Sequence, residues 1–196
     1  MDAALWALGR GTGVTALVLM TVAMLLGVLT RSGRPALGLP RFAVTQVHRS
    51  ASLLATVFMA VHVGSLFFDP YAQLRLVDVL VPFLGAAKPL WLGLGTLALD
   101  LTLTVVATSL LRHRIGLRTW RAVHWCTYAL WPLALVHGLG NGTDAGSAWF
   151  LVLSAACAIP VVLALGWRLH RDFTEFHRRR QPLQCAPIPA TAGKGP

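Results

Sequence analysis

The sequence predicts an all-α fold: a polytopic membrane helical bundle of about five transmembrane helices, N-terminus outside and C-terminus cytoplasmic. Three observations carry that expectation. Of 196 residues, 56% are hydrophobic and only 12% charged, whereas a water-soluble domain has about a quarter charged. Such a chain cannot cover a soluble globule with polar surface, and it is too apolar for disorder. Soluble enzymes are therefore excluded. The apolar residues are gathered into stretches near the roughly 20 residues that a spanning helix needs. Finally, the basic residues fall mostly on one side of those stretches.

The first stretch, 11–29, carries no charge. It lacks the basic flank of a cleaved signal peptide and exceeds the usual apolar core of such a peptide, so it reads as a retained span. The second runs over 42–68, with His48 and Arg49 near its start. The third covers 90–111 around Asp100, the fourth 119–139 and the fifth 147–167. Between the second and third, the run 76–84 is broken by Asp78 and is too short to span. It reads as an interfacial or re-entrant piece.

Charge sets the expected orientation. Arg31, Arg34, Arg41 and Arg49 follow the first stretch, and Arg112, Arg114, Arg118 and Arg121 follow the third. Arg168, Arg171, Arg178, Arg179, Arg180 and Lys194 follow the fifth, leaving only Arg10, Arg75 and Lys88 on the opposite side. The positive-inside rule places the rich side in the cytoplasm. The net charge of +10 is thus a topology signal and a contact with membrane lipid. No nucleic-acid motif accompanies it, so no nucleic-acid partner is expected. Residues 1–170 form the membrane domain, and 171–196 read as a basic, disordered cytoplasmic tail. Cys126, Cys157 and Cys185 lack C-x-x-C spacing, and no disulfide framework is expected.

Histidines carry the functional signal. His113, His170 and His177 sit among arginines and read as solvated basic surface. His48 and His62 lie fourteen apart in the second stretch, His124 and His137 thirteen apart in the fourth. Ionisable residues inside a membrane are functional candidates. One span separates the two stretches, so both run in the same direction. His48 then shares a level with His124 near the cytoplasmic face, and His62 with His137 near the outer face, the levels about 20 Å apart. Fourteen residues return to within roughly 40° of the starting direction. Such an arrangement has the geometry of two bis-histidine hemes. Thirteen residues leave an offset of roughly 140°, and a kink at Pro132 is expected to absorb it. Zinc would need more ligands converging on one ion than either level offers. A non-heme membrane protein, such as a small transporter subunit or assembly factor, stays open as the alternative.

Two segments carry a family likeness. Residues 41–63 contain Gln46-Val47-His48-Arg49 and Val61-His62-Val63, and residues 118–138 contain Trp120-Arg121-Ala122-Val123-His124 and Val136-His137-Gly138. This pattern resembles the ferric reductase-like transmembrane domain, found in ferric reductases, NADPH oxidases and the heme subunit of a bacterial methionine sulfoxide reductase system. The likeness covers most of 4–170. It implies an oxidoreductase subunit that moves electrons across a bacterial inner (plasma) membrane, from a flavoprotein donor or quinol to an external acceptor. Two hemes b would be held, the inner by His48 and His124, the outer by His62 and His137. Larger members of that family have six spans and a flavin- and nicotinamide-binding domain. Here five spans and no strand–glycine loop–helix unit are found; Gly9-Arg10-Gly11-Thr12-Gly13 is only a loose glycine run. Neither flavin nor NAD(P)H is expected to bind this chain in the family's usual way.

Several residues could support such hemes. Arg49 and Arg121 flank the inner-level histidines and could pair with propionates, or simply anchor the topology. Trp120 reads as an interface-belt residue, with Trp125 as a belt or heme-packing residue. Trp131 and Phe58 fall between the levels, where they either pack the core or fill the gap between hemes. A charged Asp100 would cost roughly 2.5–3.5 kcal/mol at mid-membrane. It is expected to orient a histidine through its ring N–H or to serve as a proton relay.

Overall fold

A computed structural model describes residues 3–32, 38–72, 74–85 and 88–170. Arg34, His177, Cys185, Lys194 and the whole expected tail 171–196 lie outside the described residues. Among the described residues eight helices follow one another: α1 (Ala3–Ser32), α2 (Arg41–Phe68), α3 (Leu76–Leu80), α4 (Pro89–Leu110), α5 (Arg112–Ile115), α6 (Leu117–His124), α7 (Thr127–Asn141) and α8 (Ala148–Leu169). No strand occurs among the described residues.

Four of these helices, α1, α2, α4 and α8, are long and apolar enough to cross a membrane. They expose large apolar side chains that water would not tolerate as a contiguous face; Val152 is 69% and Leu163 67% exposed. Polar side chains on the spans turn inward to their own backbone, as where Thr21 donates to the Leu17 carbonyl (2.9 Å) and Thr102 to the Ala98 carbonyl (2.8 Å). A bilayer enforces that self-satisfaction.

The fourth expected span is divided between α6 and α7. Its distortion lies at Trp125–Cys126, not at Pro132, which sits inside α7. Cys126, Tyr128 and Ala129 each donate to the carbonyl three residues back, at 2.9, 3.1 and 3.0 Å. Such tightened winding advances about 120° per residue instead of 100°. Roughly four residues of it recover about 80° of the 140° mismatch between His124 and His137. The Thr127 hydroxyl donates to the His124 carbonyl (2.8 Å), so the tightening leaves that oxygen satisfied.

Helix α1 is the common support. It packs antiparallel along α2 and also meets α7 and α8, while α4 packs on α7. Trp131 of α7 and Cys157 and Val161 of α8 form a buried cluster against Met20, Met24 and Leu25 of α1. At one end of the bundle Arg10 stacks over Trp6, 4.0 Å from the ring centroid, and pairs with Asp144. The expected re-entrant run becomes the short helix α3, folded onto α4: Thr96 donates to the Asp78 carbonyl (2.7 Å). The Asp78 carboxylate accepts the Arg75 backbone N–H and guanidinium, both at 3.0 Å. Those hydrogen bonds, the guanidinium first, hold the Asp78 carboxyl below the usual carboxylate range.

Candidate functional site: two paired histidines

Helix α2 carries His48 and His62, α6 ends on His124, and α7 carries His137 just before its last turn. Helix α2 faces α6 through His48 and His124, and α7 through His62 and His137. His48 and His124 have ring centroids 6.5 Å apart with planes at 77°. His62 and His137 repeat the arrangement at 6.5 Å and 81°. Arg31, Arg49, Arg121 and Arg168 gather around His48 and His124, which we therefore term the arginine-end pair. His62 and His137 are the distal pair.

Three of the rings are fixed by backbone. Nδ1 of His48 bonds the Ala23 carbonyl (2.8 Å), that of His62 the Gly9 carbonyl (2.7 Å), and that of His137 the Trp91 carbonyl (2.7 Å). A carbonyl oxygen only accepts, so Nδ1 carries the proton in each case and Nε2 keeps its lone pair. That tautomer and orientation are what metal-ligating histidines adopt. Nδ1 of His124 is buried and has no hydrogen-bond partner among the described residues. Its ring instead lies beneath Trp120, with centroids 5.0 Å apart. Trp120, read from sequence as a belt residue, is thus also a wall of the site, and its Nε1 donates to the Ser109 hydroxyl (3.2 Å).

The arginine-end pair lines a cavity of about 840 Å³, within the range of roughly 300–1,000 Å³ typical of cofactor sites. Arg49 and Arg121 line it, and so do Arg31, Arg112 and Arg168, which sequence reasoning left as topology signals. His113, read as solvated surface, is at its edge. The Arg168 guanidinium reaches to 5.5 Å from the Trp125 ring centroid. No carboxylate among the described residues lines this cavity, so its described lining suits an apolar body bearing anionic groups.

Trp131 forms part of the cavity wall and is buried, with its indole N–H given to the Thr21 hydroxyl (2.9 Å). Phe58 is half-buried on α2. Asp100 is half-buried on α4, and no hydrogen bond joins it to a histidine among the described residues. Backbone carbonyls occupy the orienting role that the sequence suggested for its carboxylate. Those carbonyls escaped sequence reasoning because a backbone acceptor has no residue type.

Do these residues fit heme? An atom bonded to one nitrogen of each ring at the roughly 2.1 Å of a metal–imidazole bond would set the centroids about 6.4 Å apart. Both observed separations are 6.5 Å. The His48–His124 pair, with its cavity and arginine rim, fits a bis-histidine heme, and the His62–His137 pair fits one by its ring separation. They do not fit zinc, since no group of three or more His, Cys, Asp or Glu able to hold an ion exists among the described residues.

The fold and site define a multi-pass membrane protein built around two half-buried histidine pairs. Residues 12–135 match the family model described as ferric reductase like transmembrane component, and the chain belongs to that family. The match includes His48, His62 and His124 and ends two residues before His137. Members of this family usually bind heme, and membership makes the chain a membrane electron-transfer component. Comparisons with curated proteins and with solved structures returned no match.

Proposed function

We propose that this chain is a di-heme b-type cytochrome that carries electrons across a plasma membrane from a cytoplasmic flavoprotein or quinol to an external acceptor. The observation that supports it most is the repetition of one geometry at two levels: paired imidazoles at 6.5 Å, planes nearly perpendicular. His48 and His124 would hold one heme, His62 and His137 the other. Each bound heme would supply a one-electron carrier in a low-dielectric interior. The protein's part is to hold the imidazoles in one tautomer, exclude water with Trp131 and its neighbours, and neutralise propionates with Arg49 and Arg121. By the positive-inside rule the arginine end faces the cytoplasm, where a donor would dock.

Protein purified after heme-replete expression should show a b-type absorption spectrum with about two hemes per chain. Colourless protein would overturn the reading. Reporter fusions at the two ends of the bundle test the orientation, with the arginine end expected inside.

A further inference from the structure

The three anchored histidines share a device that their own helices do not contain. In an α-helix the carbonyl of residue i faces the N–H of residue i+4, and side chains tilt toward the N-terminus, so the side chain at i+4 stands over that carbonyl. The acceptors are Gly9, Ala23 and Trp91. Four residues on, the chain has Gly13, Gly27 and Gly95. A Cβ at Gly13 would lie 2.8 Å from Nδ1 of His62, and one at Gly95 would lie 2.5 Å from Cε1 of His137. At Gly27 it would lie 3.3 Å from Cε1 of His48. Carbon atoms prefer about 3.5–4.0 Å. A Cβ at Gly11 or Gly64 would meet nothing within 4 Å, and one at Gly9, Gly93 or Gly140 would meet Leu66, Phe83 or Trp91; among the described residues only Gly13, Gly27 and Gly95 face an imidazole.

The register agrees. Gly9 and Ala23 are fourteen apart on α1, as are Gly13 and Gly27, and α2 repeats that spacing in His48 and His62. Antiparallel packing then puts the earlier acceptor–glycine pair against His62 and the later one against His48. Of the four paired histidines, His124 lacks a carbonyl partner at Nδ1 among the described residues, and no described glycine is set against its ring.

We propose that Gly13, Gly27 and Gly95 are positioning residues for the histidine pairs. Each uncovers a mid-helix carbonyl so that an imidazole from another helix can donate to it. The carbonyl fixes the ring and its tautomer, and the glycine admits the ring. This deepens the di-heme reading and rests on it for the ligand involved.

The test compares the heme-loaded wild-type protein with Gly95→Ala, Gly13→Ala, Gly27→Ala and, as a control, Gly11→Ala. Heme content and ferric electron paramagnetic resonance are the readouts. Gly95→Ala and Gly13→Ala should shift or remove the distal signal alone, with heme affinity at that level falling about 10- to 100-fold, as when an orienting partner is lost. Gly27→Ala should alter only the arginine-end signal, and least, because its Cβ intrudes least. Gly11→Ala should change nothing. If Gly95→Ala misfolds, Gly27→Ala decides. Wild-type signals and heme content in every variant that folds would overturn the proposal.

Should the wild-type protein prove heme-free, it is the di-heme reading that fails. Imidazole nitrogen magnetic resonance of that same protein then tests the positioning separately. Nδ1-protonated His48, His62 and His137 in the wild type, lost level by level in the alanine variants, support it; unchanged tautomers overturn it.

Discussion

The distal and arginine-end pairs have the same ring separation but are built differently. Both distal rings are tied to backbone, His62 to Gly9 and His137 to Trp91. Only one arginine-end ring is tied, His48 to Ala23; His124 sits at the junction of α6 and α7, beneath Trp120, beside a cavity ringed by arginines. Helix backbone therefore dictates the distal geometry, whereas side chains and their charges shape the arginine end. The difference teaches that equal geometry at two levels can rest on unequal constraints. Whatever loads or approaches the bundle from the arginine side meets its more adaptable half.

On the di-heme reading, replacing the histidines should break this comparison most sharply. His137→Ala is expected to abolish the distal heme signal and His124→Ala the arginine-end signal, each leaving the other, as read by heme content and resonance spectra. Loss of both signals from either change would mean the levels are not independent. Charge comes next. Arg49→Gln and Arg121→Gln should weaken retention of the arginine-end heme alone, by up to about fivefold each, because these guanidiniums are exposed to solvent. An equal effect on the distal signal in heme-release kinetics would erase the distinction.

Smaller effects sharpen it. Trp131→Phe removes the bond to Thr21 and should cost about 0.6 kcal/mol, the average for such bonds between membrane helices. A double-mutant cycle with Thr21→Val measures this. The smallest effect belongs to Asp78, whose carboxyl titrates below the usual range because Arg75 donates to it. Its contribution is present above the unfolded carboxylate pKa, near about 3.9, and is lost as pH falls through the lower folded value. Acidification should therefore loosen the 74–85 segment by hydrogen exchange and, through Thr96 on α4, disturb the distal signal before the arginine-end one. Asp78→Asn should remove that pH dependence.

How much of this was legible in the sequence? Hydropathy marked the helices well, because lipid imposes long unbroken apolar runs: α2 begins at Arg41 and α8 ends at Leu169, each within two residues of expectation. Paired histidine spacing exposed the two levels for the same reason, since ionisable groups stand out in apolar spans. The thirteen-residue mismatch was visible too, but its remedy was assigned to Pro132. Proline is a conspicuous residue, whereas tightened winding at Trp125–Cys126 depends on which carbonyls find donors, and Thr127 settles that locally. Helix α1 starts at Ala3, earlier than expected, so the glycine run 9–13 is helical, with Gly9 and Gly13 on the side of His62. Its signal was present in the fourteen-residue spacing of Gly13 and Gly27, but glycine is common in membrane helices and did not stand out alone.

Helix α1 contributes no side chain to either pair, yet it is the gauge that spaces them. Inserting one residue between Gly13 and Ala23 would advance the later half by 1.5 Å and turn it by about 100°. One acceptor could then meet its histidine, but not both. Substitutions on the lipid face of α1 leave the gauge intact, while a change of length anywhere between its two marks does not. The separation of the two levels is thus recorded as a count of residues in a helix that holds none of the four histidines.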